Sequence, residues 1–559
     1  MGAQVAAFDE YGATTPDDFG PGAEVPLSGA AGQTTATRAL ASAAYRDGKV
    51  DPLLAANPAA KVKPPRMSLF APNLGECFSR AVQTRLLGAA RKPLIQSFGA
   101  EPQVVVEHCL AANRVRRERD ARLTVVMAVF GLLFLPGVLL WLLAFQLRRS
   151  LSNSTARGVS SLGSVVMLAL GVLAVIFMVA LPVPGLPGIY LRVMIVAPVI
   201  GWLWAKQICE RYAKDLRSRW KGLLTGEGVG ARIPEAVPQK PGDAAAEKIR
   251  ASLVKLNAEQ AANLVYYAGP KGILGMGTRW GSWQLAEELV PVDPVADING
   301  FRSWDVVRAI QDQLRRLERG PLHTGGFPTP HIQHWVVSPI GENADEVERP
   351  GGQNVEGFRI KDFEIQRICN EQQFGSGDRH YLGVQFALWD GQLVITLLIT
   401  VTVLHHTLRI EVTGHALGPV HPLFTTKPKA KTKEVSKPVK FWETKEVTLA
   451  LMTPDEVVRL TARAPLTWFP PLLDFLGGKV TLPEPFGLRH TWADKPWRHR
   501  FMADDALRAA TPVLRVVHAA AIRVLKENGC DTEQFGARSL VLSGTVQQAE
   551  PRKADVYDA

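Results

Sequence analysis

The chain has 559 residues, with 64 Lys plus Arg against 53 Asp plus Glu and 47% hydrophobic residues. That is too apolar for a wholly disordered or collagen-like protein, and long enough for three or four folded units of about 100–200 residues each. Five scattered cysteines (Cys77, Cys109, Cys209, Cys369 and Cys530) form no CxxC pair, which argues against a disulfide-stapled secreted fold or a Cys-rich zinc module. The formal charge of +11 is unevenly placed. Residues 1–66 carry 6 basic and 7 acidic side chains, 67–221 carry 19 and 7, and 222–559 carry 39 of each. The excess therefore coincides with the long apolar runs, where basic residues act as membrane topology signals, and nucleic acid is not an expected partner.

Residues 1–66 are rich in Ala, Gly, Thr and Pro and read as a disordered tail. The first 20 residues have neither the basic region nor the apolar core of a secretory signal, so insertion is expected to use an internal segment. Residues 67–122 hold two segments with helical periodicity, 79–99 and 101–122, expected as a juxtamembrane helical collar on the inner leaflet or as ordinary soluble helices.

Residues 123–206 form the expected membrane module, with apolar stretches at Leu123–Gln146, Val159–Pro182 and Ile189–Ala205. The first two are uncharged and reach the length of about 20 residues that spans a bilayer; the third carries Arg192 near its start and Trp202 and Trp204 near its end. Basic clusters at Arg114–Arg122, Arg148–Arg157 and Lys206–Lys221 all favour the cytoplasmic side, leaving only the uncharged turn Pro182–Gly188 translocated. Val159–Ala205 is then a hairpin. Leu123–Gln146 must either re-enter, bending near Pro136-Gly137 with protein covering its exposed backbone, or cross as a kinked span; the charge pattern favours re-entry.

A juxtamembrane helix and Gly/Pro linker occupy 207–243, and a cytoplasmic α+β domain is expected over 244–545, before a tail at 546–559. Within the domain the pattern predicts a helix at Ala244–Leu264 and a second at Ser303–Arg319. The second has Ser303 as N-cap and an apolar face of Val306, Val307, Ile310, Leu314 and Leu317. Strands His380–Trp389 and Gln392–Leu404 are predicted as a hairpin about Asp390-Gly391, followed by a third strand at Thr407–Thr413, giving an antiparallel meander. Lys427–Lys440, with six Lys, reads as a flexible, solvated connection or a wide loop between strands, with contact to anionic lipid as a further reading. Helices follow at Pro454–Arg463 and Met502–Asn528. Between them Ala464–Gly478 is bulky and apolar, and is expected to pack in the core without a helix, because Pro470-Pro471 intervenes. Membrane-surface or partner contact is the second reading for that loop. A short strand at Ser539–Val546 precedes the tail.

The segment Val265–Gly277 (VYYAGPKGILGMG), after a short helix and before an aromatic-rich run, resembles an uncharacterised group of membrane proteins from high-GC Gram-positive bacteria. The resemblance implies a membrane architecture and carries no activity.

Candidate chemistry is sparse. Gly269, Gly272, Gly275, Gly277 and Gly281 with Lys271 and Arg279 would suit an anion cradle, since glycine lets backbone N–H groups approach a phosphate. No GxxxxGK[ST] is present and Gly281 falls one residue late for GxGxxG. A turn packed by Trp280 and Trp283 is the plainer reading. His331 and His334 with His323 and His380, or His405, His406, His415 and His421, supply only one HxxH and one HH, so no metal and no cofactor is expected. Cys369 with His380 is a nucleophile–base pair by composition alone. The expected function is an integral membrane protein that anchors an interaction or regulatory domain at the inner membrane, its partners being membrane lipid and a cytoplasmic protein. The alternative is a membrane-anchored enzyme or nucleotide-binding protein using the Gly269–Gly281 loop or a histidine cluster.

Overall fold

The computed structural model describes residues 21–25, 33–88, 92–142, 169, 171, 176, 180, 184–227, 232–295, 297–319, 327–340, 359–371, 375, 377–428, 432–437, 440–448, 451–533 and 535–536. The described chain is a mixed α+β structure built on a six-stranded sheet. The strands are β2 (Leu264–Tyr267), β3 (Thr278–Glu288), β4 (His331–Pro339), β5 (Arg379–Leu388), β6 (Leu393–Leu404) and β7 (Thr407–Leu417), ordered β2-β4-β5-β6-β7-β3. Only β2 and β4 run parallel; every other pair is antiparallel. The hairpin forms about Asp390-Gly391 as a four-residue turn, Trp389 and Asp390 both taking positive φ, and β7 runs to Leu417, four residues beyond the expected end.

Period-2 alternation sorts the strands onto two faces. Leu382, Val384, Phe386, Ile395, Leu397, Ile399, Leu408, Ile410 and Val412 pack under helices α8 (Ser303–Arg319) and α12 (Arg500–Glu527) in the largest core. All five apolar residues predicted for α8 are buried there. Ser303 is the first residue of α8, and its hydroxyl accepts from the Val403 N–H of β6. The Asp305 carboxylate accepts from Arg302 N–H at the helix start.

A second core corrects the expected domain plan. Residues 33–66 were read within a disordered tail, yet α1 (Thr35–Ser42) is buried through Ala36, Ala39, Leu40 and Ala41. Thr34 caps it by accepting from Thr37 N–H, and Asp390 in the hairpin turn accepts from Thr35 N–H at 2.9 Å. Alanine-rich segments bury little area each, so only packing against both α4 (Pro102–Val126) and α6 (Leu186–Thr225) orders this one. Between α1 and α4 lie α2 (Asp51–Ala56), the strand β1 (Lys61–Lys63) and α3 (Leu74–Leu87). Of the two readings for residues 67–122, burial favours ordinary helices: Val104 to Cys109 of α4 are all buried, as is most of α3. The same core takes Leu216, Trp220 and Leu223 from α6, Leu253 and Leu256 from α7 (Ala244–Gln260), and Val420 to Trp492 from the far end of the chain. The segment 244–545 is thus not a self-contained unit.

Lys427–Lys440 is not simply a connection: Thr432–Lys437 (β8) pairs antiparallel with Lys440–Thr448 (β9). Residues 454–463 form α10 (Pro454–Arg463), closed by a capping box between Thr453 and Glu456. The pair Pro470-Pro471 opens a helix, α11 (Pro470–Gly477), because a proline in the first turn withdraws an N–H that has no helical acceptor anyway. Its neighbour β10 (Lys479–Thr481) pairs with β1.

Leu186–Thr225 is long and apolar enough to cross a membrane, and Pro102–Leu132 with Leu135–Leu142 (α5) passes the same test as a pair bent by 100°. The bend lies just before Pro136-Gly137, as the sequence led us to expect. A π-helical stretch, Met127–Leu132, leads into it. Tyr190 OH of α6 donates to the Leu133 carbonyl at the break at 2.8 Å, and its ring stacks on Phe134. The break is thus covered by a side chain of α6. Gly137 lies where any Cβ would strike the Met194 carbonyl of α6, so the two helices cross backbone to backbone there. The stretch Val159–Pro182 lies outside the described residues, apart from isolated helical positions, and Ser539–Val546 lies outside them entirely.

Candidate functional site

The face of the sheet opposite α8 and α12 holds a cleft of 740 Å³. Odd-numbered residues of β5 and β7 point into it: Arg379 and Tyr381, then Glu411, Thr413 and His415. The opposite wall is the loop between β2 and β3, bringing Lys271, Gly272, Gly277 and Arg279. Of the seven residues singled out for anion binding, Lys271, Gly272, Gly277 and Arg279 therefore meet at one cleft. Gly269 and Gly281 do not line it, and Gly275 faces away against Ile95 and Gln96.

Part of the loop's backbone is already engaged within the loop. The N–H groups of Ala268, Lys271, Gly272 and Leu274 all donate to backbone carbonyls of the loop or of β2. Gly277 is required for a steric reason: its φ is 82° and a Cβ would collide with the Ala416 carbonyl of β7. Glycine here lets the loop lie flat on the sheet edge. Arg279 donates to Ser282 Oγ at 2.7 Å and pairs with Glu411 at 3.5 Å; Arg409 pairs with the same carboxylate at 2.9 Å. Burial, then the nearby Arg279, pushes His415 down to about 4, so its ring is neutral near pH 7, and its buried Nδ1 has no partner among the described groups. Burial raises Tyr381, against the opposing effect of Arg379. Beneath the cleft, Val265, Met276, Trp335, Val337 and Leu398 form a small apolar floor.

Arg379, Tyr381, Glu411 and Thr413 were not singled out by the sequence reading. The signal was there: polar residues recur at every second position in strands whose alternate positions are apolar. It marks one solvated face without saying which loop covers it.

Among the described residues the histidines do not gather as ligands. His334 Nδ1 and His380 Nε2 share a hydrogen at 2.9 Å, both rings lying against Trp304, while His331 bonds Gln333; His323 lies outside the described residues. No group of three or more His, Cys, Asp or Glu suited to a metal occurs among the described residues. Cys369 is buried in the main core, and burial pushes its thiol up to about 12, which leaves it a poor nucleophile. Burial lowers His334 to about 4 and His380 to about 3. A histidine kept neutral in the fold stabilises it above its unfolded pKa of about 6.5, and that contribution is lost as pH falls from there toward the folded values. Acidification from pH 7 to 5 is therefore expected to lower the melting temperature. The drop should be smaller in a His334→Gln, His380→Gln double variant; equal pH slopes in both proteins would contradict it.

Residues 282–551 match the family model of the AbeC-like domain. The match takes in the sheet side of the cleft and stops short of the loop side, which begins at Tyr267. No curated protein and no solved structure matches the chain.

Proposed function

We propose that this chain is an integral membrane protein that holds a cytoplasmic binding domain at the inner membrane, and that the domain takes an anionic small molecule in the cleft. The observation that carries the reading is the convergence of Lys271, Arg279 and Arg379 on a cavity whose one lining carboxylate, Glu411, is already ion-paired. Its 740 Å³ falls in the usual range for small-molecule sites. The anchor is supported by the apolar first half of α6, by the covered bend after α4, and by the resemblance of Val265–Gly277 to membrane proteins of high-GC Gram-positive bacteria. The basic residues Lys206–Lys221 that follow the apolar half favour an inside location for everything after it. A nucleotide is one ligand of the required charge.

Inorganic phosphate, pyrophosphate and adenosine nucleotides, added to the detergent-solubilised full chain, are the probes. At least one is expected to raise the melting temperature, and Arg379→Ala is expected to weaken that ligand about 10-fold or more, the worth of a charge-assisted hydrogen bond. Absence of any shift, or equal affinity in Arg379→Ala, would refute the proposal.

A further inference from the structure

The segment Ala464–Gly477 does not pack into the core as its composition suggests. Trp468 and Phe469 are each 64% exposed, and Leu472 and Phe475 are exposed beside them, while Ala464 and Leu473 turn inward. Three features say what covers this patch. First, Trp468 Nε1 donates to Thr124 Oγ1 at 3.4 Å, so the patch abuts α4 at the point where its own exposed apolar residues begin, with Val125, Val129, Leu132 and Leu133. It thus continues the band of apolar side chains that leads into the bent pair. Second, the end of α11 nearest that band presents no free donor. Pro470 and Pro471 have no N–H, and the N–H groups of Leu472 and Leu473 both donate to the Phe469 carbonyl at 3.1 Å. A helix normally leaves its first N–H groups to water, and one that meets lipid must account for them. Third, the other end is basic. Arg66 lies over the Phe475 ring at 3.8 Å, and exposed Lys61, Lys63 and Lys479 stand on the β1–β10 ribbon, Lys63 directly opposite Lys479.

We infer that Ala464–Gly477 is an interfacial wedge that sits at the headgroup boundary of an anionic bilayer. Trp468, Phe469, Leu472 and Phe475 enter the acyl edge, and Lys61, Lys63, Arg66 and Lys479 meet lipid phosphates. Aromatic and leucine side chains flanked by basic residues suit that boundary, where apolar burial and attraction to anionic headgroups act together. The wedge fixes the height and tilt of the sheet domain above the membrane. The inference rests on the membrane reading of α6, so its test must separate the two.

All five native cysteines are buried, so an introduced exposed cysteine takes an environment-sensitive fluorophore selectively. Probes at Leu472→Cys, Ile200→Cys and Val295→Cys are compared in the full chain, reconstituted into phosphatidylcholine vesicles with and without phosphatidylglycerol. Brominated lipid is the quencher. Quenching at Leu472 and Ile200 several-fold above that at Val295 is expected. Lys61→Glu, Lys63→Glu and Lys479→Glu together should reduce the effect at Leu472 and leave Ile200 unchanged. Quenching at Ile200 but not at Leu472 would overturn the wedge alone, whether the Leu472 probe reports water or a dry protein contact. Quenching at neither would overturn the membrane reading itself.

Discussion

Arg463→Ala is expected to cost about 3–5 kcal/mol of stability, the usual penalty for leaving one partner of a buried ion pair uncompensated. Arg463 ends α10 and is 3% exposed; it reaches with both terminal nitrogens to the two oxygens of Glu76 on α3, itself 9% exposed. Burial alone would raise the Glu76 carboxyl, but Arg463, with Arg80 and Arg116 behind it, holds it down to about 2. The pair clamps residues 387 positions apart, so its loss should free the N-terminal helices from the C-terminal segment. The sign with pH follows from the depressed carboxyl. Its stabilisation is fully present above the unfolded value of about 4.3 and is lost as pH falls toward 2. Chemical denaturation of the full chain in detergent checks the first claim. A loss under about 1 kcal/mol would show that the carboxylate finds water or another cation. A Glu76→Leu, Arg463→Met double variant should recover much of the loss, since paired apolar replacement is often neutral.

Trp335→Ala should cost a similar amount, about 3–5 kcal/mol, because a large ring leaves a cavity that its surroundings only partly close. Trp335 is completely buried on β4. Its indole lies over Gly383 of β5, where no larger residue fits, and Phe98 packs on it at 5.7 Å. It is also the largest member of the cleft floor, so the loss should reach function: the anion-dependent thermal shift is expected to shrink beyond the drop in melting temperature. A destabilised variant that binds its ligand with unchanged affinity would show the floor to be independent of the site. Trp335→Phe, which keeps most of the buried area, is expected to retain most of both properties.

Local patterns settled the elements whose packing partner hardly mattered. The apolar face of α8, the capping box of α10, the Asp390-Gly391 turn and the Val/Ile/Leu run of β6 each state their conformation within a few residues, through helical period, cap chemistry or β-branched alternation. The bend before Pro136-Gly137 was legible for the same reason, since a charge rule and a proline both act locally. Lys271, Gly272, Gly277 and Arg279 could be named from one glycine-rich stretch.

What only the tertiary structure decided is what those pieces face. Thr35–Ser42 looks unable to order itself and does so only between α4, α6 and the hairpin turn, contacts separated by up to 355 residues. The second wall of the cleft, Arg379 to His415, reads from sequence as the ordinary polar side of a sheet; it lines a cleft because the loop before β3 folds over it. Pro470-Pro471 reads as a break, whereas prolines in a first turn also suit a helix start, and the bulky residues around it read as core. Their exposure beside α4 depends on where two distant helices meet, which hydrophobicity alone does not encode because burial is a property of neighbours.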